Sequence, residues 1–103
     1  MTTESTPVEQ GENNASGRAI ITVLGSDRPG IVAAVAGALS EREANILDIS
    51  QTILQGTFTM TMLVDLASAD FSELKATLDS LAERLGVQIT LQREEVFRFM
   101  YRL

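Results

Sequence analysis

Apolar positions along this chain follow two rhythms, one of period two and one near 3.6, and their alternation predicts its elements. Ala19-Ile20-Ile21-Thr22-Val23-Leu24 is β-branched and almost continuously apolar, as expected of a central strand covered on its core side. Gly25-Ser26-Asp27-Arg28-Pro29-Gly30 breaks the run with turn chemistry. From Ile31 to Glu43 the period lengthens: Ile31, Val35 and Leu39 recur every fourth residue with Ala34 and Ala38 beside them, which predicts a helix. No charge falls between Gly30 and Ser40, so this helix can be approached closely on more than one side.

Period two then returns. Asn45 to Leu54 and Thr57 to Leu66 read as two strands joined by a hairpin turn at Gln55-Gly56. In the first, Leu47, Ile49 and Ile53 oppose Asp48, Ser50 and Thr52. In the second, Phe58, Met60, Met62, Val64 and Leu66 oppose Thr57, Thr59, Thr61 and Asp65. One buried and one polar sheet face are therefore expected. Asp70 and Glu73 make a capping-box-like helix start, followed by Phe71, Leu74, Leu78, Leu81 and Leu85 at helical spacing, with Gly86 as the stop. Val87, Ile89 and Leu91 alternate with Gln88, Thr90 and Gln92 in a last strand. The order β-α-β-β-α-β, with right-handed crossovers, predicts an α+β ferredoxin-like sandwich: four antiparallel strands with two helices on one face.

Residues 94–103 form a C-terminal extension holding three of the five aromatics. Glu94, Arg98 and Arg102 at i, i+4 and i+8 predict a short helix, although the alternation of Phe97, Phe99 and Tyr101 would also suit a strand. So apolar a segment must cover something, either its own domain or, through Phe97, Met100 and Tyr101, a second subunit. At the other end, residues 1–17 hold a single large aliphatic and three acids, a composition that predicts a disordered tail before one domain spanning 18–103.

Charge and composition narrow the chemistry. Eight basic side chains against 14 acidic ones give −6, of which the tail supplies half. That sign, with cations few and dispersed, opposes nucleic-acid binding. No apolar run reaches the ~20 residues of a membrane span and no secretory signal pattern opens the chain, so a cytoplasmic protein is expected. The chain has no Cys and no His, which excludes disulfides and Cys-based metal sites and removes the commonest general base and transition-metal ligand. Asp48, Asp65, Asp79 and Glu83 are scattered, and Lys75 sits on the polar side of its helix. No catalytic role, metal or cofactor is expected.

The strongest local signal is Asp27-Arg28-Pro29-Gly30, which precedes the free N–H groups of a helical first turn, where an anion such as a carboxylate could bind. The alternative is that Asp27 merely caps the helix. The turn lacks the third glycine of a dinucleotide fingerprint and the Gly-Lys-Ser/Thr ending of a phosphate-binding P-loop.

The string DRPGIVAAVAGALSEREANILDISQT resembles the opening of an ACT domain, and the likeness extends over residues 18–93. It is closest to the small stand-alone ACT proteins similar to the glycine-cleavage repressor, through Asn45 to Thr52 and the aromatic C-terminus. The resemblance implies a homodimer binding a small molecule such as an amino acid between subunits. It assigns Asp27, Arg28, Pro29, Gly30 and Ile31 from one chain, and Asn45, Ile46 and Leu47 from the other, to the ligand. Amino-acid sensors of the family often carry Asn where this chain has Asp27, a charge that repels a carboxylate and can hold an ammonium group. The alternative is an adaptor that modulates a transcriptional regulator or metabolic enzyme through protein contacts, without a ligand.

Overall fold

A computed structural model describes residues 17–26 and 29–100, and only the backbone of Met100. The predicted order of elements is present: β1 (Arg18–Ser26), α1 (Ile31–Glu41), β2 (Asn45–Leu54), β3 (Thr57–Asp65), α2 (Phe71–Leu85), β4 (Gln88–Arg93) and a short α3 (Glu94–Met100). The strands form one antiparallel sheet in the order β2-β3-β1-β4. The C-terminal extension is helical over its described part.

The two central strands supply most of the core. Ala19, Ile21 and Val23 of β1 pair with Val64, Met62 and Met60 of β3, and all six are fully buried. Side chains that oppose each other across a ladder share a face, so these positions make one apolar layer. Ile31, Val35 and Leu39 of α1 and Leu74, Leu78 and Leu81 of α2 close it from above. Two side chains fix the start of α2. Asp70 accepts a hydrogen bond from the Glu73 N–H at 3.1 Å, satisfying one orphan donor of the first turn. The Glu73 carboxylate goes elsewhere and pairs with Arg42 at 3.0 Å, so only half of the expected capping box is reciprocated. Gly86, at φ 72°, ends the helix as expected.

One expectation fails on β2. Its alternation predicts a buried row, yet every residue of the strand is exposed, including Ile46, Leu47, Ile49, Ile53 and Leu54. The reason is position: β2 is an edge strand, and alternation specifies which residues share a face without specifying that anything covers it. A register shift between Ile46 and Asp48 also makes Leu47 an extra residue. Ile46, opposite buried Val64, therefore takes the place of Leu47 in the helix-side row with Ile49, Gln51 and Ile53.

The α3 helix is tied down at its first residue. Glu94 is buried, and one of its carboxylate oxygens accepts from Arg18 at 3.0 Å and from Arg98 at 2.9 and 3.0 Å. At the other end of β1, Gly25 lies so close to Val87, the residue before β4, that a Cβ there would lie 2.6 Å from Val87 Cγ1.

Leu78→Ala should cost about 2–5 kcal/mol in urea unfolding, because fully buried Leu78 leaves a cavity. Asp70→Ala should cost about 1 kcal/mol through the lost cap. The reverse ranking would show that the layer under α2 is not the principal core.

Candidate functional site

The predicted ligand loop enters α1 through Gly30. That residue has φ 92°, a left-handed conformation open to glycine and strained for side-chain-bearing residues. The Gly30 carbonyl accepts the first helical bond, from Ala34 N–H at 2.9 Å. The N–H groups of Ile31, Val32 and Ala33 lie above that bond, beyond the reach of any intrahelical carbonyl. The first turn carries no acid, so the positive end of the helix dipole is not neutralised by its own side chains. Ile31 is buried and anchors the turn to the core. Asp27 and Arg28 lie outside the described residues, as do Tyr101 and the side chain of Met100.

Facing that turn is a cavity of about 390 Å³, bounded by Gly30 to Ala33 on one side and Gln51 to Ile53 of β2 on the other, with Phe58 also lining it. Gln51 stands opposite buried Met60 in the ladder and therefore on the helix side of the sheet. It is the one polar residue in the row Ile46, Ile49, Gln51, Ile53. Sequence reasoning passed over it, although the interruption of an otherwise aliphatic row was the available signal.

Asn45, Ile46 and Leu47 are not part of this cavity. Both β1 and β2 pair antiparallel with β3, so they run parallel to each other. Their last residues, Ser26 and Leu54, both oppose Thr57, whereas Arg18 and Asn45 both oppose Asp65. The start of β2 thus lies six to eight residues from the cavity, roughly 20–26 Å along an extended strand. Pro29, Gly30 and Ile31 form one half of the predicted site and Asn45, Ile46 and Leu47 the other, at opposite ends of one exposed edge.

That edge is apolar. Ile53 is 57% exposed and Leu54 72%, and Ile46, Leu47 and Ile49 each expose 40% or more. The neighbouring outer face of α1 presents Ala33 and Gly37 without a charged residue from Ile31 to Ser40. On α3, Phe97 is half-buried against the domain, whereas Val96 and Phe99 point outward at 44% and 71% exposure. Among the described residues no cluster of acids could hold a metal ion, and no helix is long and apolar enough to cross a membrane.

Comparison with known proteins agrees with this architecture. The UPF0237 protein of Methanocaldococcus jannaschii is 49% identical over 88 residues, 84% of this chain and 98% of its own length. A solved ACT domain protein from Streptococcus pneumoniae is 42% identical with a TM-score of 0.70, covering 78% of this chain and 92% of that one. The structure of a candidate glycine cleavage system transcriptional repressor is 26% identical with a TM-score of 0.68, covering 74% of this chain and 44% of that one. The sequence model of the ACT domain matches residues 18–92, and the chain belongs to that regulatory family.

Proposed function

We propose that this protein is a homodimeric regulatory module that binds a small molecule, an amino acid by its donor pattern, and performs no chemistry of its own. The observation that carries this reading is the split site on an exposed apolar edge. A two-fold axis through the middle of β2 pairs the strand antiparallel with its copy. The start of one β2 then lies beside the end of the other, next to the cavity at Gly30 and Ile31. The same pairing covers the aliphatic row and satisfies the free backbone groups of the edge. Large exposed apolar patches are uncommon on monomers and mark interaction surfaces.

The chemistry of the completed site suits a zwitterion. Amides of the α1 first turn donate to a carboxylate. Gln51, and Asn45 from the second copy, each offer a carbonyl acceptor for an ammonium group and an amide donor besides. Asp27 and Arg28 belong to the same loop by sequence, and Asp27 adds a further partner for the ammonium end. The adaptor reading rests on a different observation, the outward-facing Val96 and Phe99 of α3.

Sedimentation should show a dimer for the native chain and a folded monomer for Ile49→Lys, since a charge at a closed apolar interface costs several kcal/mol. An Ile49→Lys variant that stays dimeric would place the interface elsewhere. Thermal-shift screening against the common amino acids should give one or a few that raise Tm. A ligand at 100 times its Kd contributes about 2.7 kcal/mol. Asn45→Ala and Gln51→Ala should each weaken that ligand by about tenfold, the worth of one hydrogen bond of this kind. No response from any amino acid, in a protein shown to be dimeric, would favour the adaptor.

A further inference from the structure

A second recess lies at the other end of α1, away from the ligand cavity and within a single chain. It measures about 520 Å³ and runs between the turn after α1 and the outer face of α2. Its polar lining is Arg42, Glu73, Thr77, Ser80 and Arg84. The donors outnumber the acceptors. Thr77, Ser80 and Arg84 fall at i, i+3 and i+7 on one stripe of α2. Arg42 reaches the same stripe from α1's C-cap and is held in place by two hydrogen bonds. One runs to Glu73 at 3.0 Å and the other to Thr77 Oγ1 at 2.9 Å.

These bonds use one N–H from each terminal nitrogen of Arg42 and leave three of its five donors for another acceptor. Thr77 Oγ1 serves as acceptor to Arg42, which leaves its own proton to donate outward. Arg84 has no ion pair among the described residues, whereas the other cation of α2, Lys75, pairs with Asp79. Two guanidinium groups therefore face one carboxylate, a local positive excess on a chain of net charge −6.

We infer that this groove binds a phosphoryl anion of the diphosphate class, carried by a small molecule. Spacing favours two linked phosphoryl groups over one. Arg84 is seven residues beyond Thr77, about 10 Å along the helix axis. Helical side chains lean toward the N-terminus, so the head of Arg84 returns toward Ser80. The two forks then stand at either end of a pair of hydroxyl donors, and each can hold one phosphoryl group bidentately. Glu73 opposes the incoming charge and competes for Arg42. Neutralising Glu73 therefore tightens binding, and the comparison with chloride separates a site from a diffuse counterion effect.

The 103-residue chain, labelled with nitrogen-15, is titrated with pyrophosphate, with inorganic phosphate, and with sodium chloride at matched ionic strength. Pyrophosphate should give saturating shifts at Arg42, Thr77, Ser80 and Arg84, and inorganic phosphate should bind several-fold more weakly. Arg84→Ala, an exposed change, should weaken pyrophosphate by about tenfold or more, the worth of a charge-assisted hydrogen bond. Glu73→Gln should tighten it. Shifts that chloride reproduces, or that survive Arg84→Ala, would overturn the assignment, and so would weaker binding by Glu73→Gln. The monomeric Ile49→Lys protein should bind pyrophosphate unchanged, which separates this site from the one proposed between subunits.

Discussion

The parallel relation of β1 and β2 is the constraint from which the rest of this molecule follows. Each strand is followed, directly or through a helix, by a chain reversal that returns it to β3 or β1. Right-handed crossovers favour this arrangement for this order of elements, and the sheet adopts it. Once β1 and β2 point the same way, the N-terminal end of α1 shares a sheet end with Leu54, and Asn45 is carried to the far end. No side-chain rotation can close a gap of some 20 Å. Within one chain the loop and the start of β2 therefore cannot touch a common small ligand.

That geometry also explains why β2 is so poorly covered. The layer between the β1–β3 pair and the two long helices already buries ten large side chains almost completely, and α1 and α2 are spent covering it. A ten-residue edge strand with aliphatic side chains would ordinarily template uncontrolled pairing. Two devices restrain it here. The extra residue at Leu47 breaks the ladder near its start. The adjoining α1 face, with Ala33 and Gly37 outermost, admits a second surface at short range without burying a charge.

Much of this was legible in the sequence, because the features concerned are local. Six elements and their order followed from period and punctuation, and Asp70, Gly86 and Gln55-Gly56 marked ends that the backbone confirms. What escaped depends on neighbours in space. The row Leu47, Ile49, Ile53 reads as buried because alternation is blind to edges, and the shift at Leu47 leaves no trace in residue type. Gln51 interrupts an aliphatic row, but what makes it a site residue is the cavity beside it, which only the fold creates. Glu73 looked like the second half of a capping box, and only the nearness of Arg42, 31 residues earlier, diverts it.

Arg42 joins the two ends of the molecule's chemistry. It caps α1, grips α2 through Glu73 and Thr77, and is followed by Glu43 at φ 63°, the turn that aims the chain into β2. Asn45 comes only two residues later. The start of β2, by the dimeric reading, is the part each chain lends to the other. The groove beside Arg42 is lined by residues of a single chain, so nothing in it is supplied or withdrawn when a second copy docks at β2.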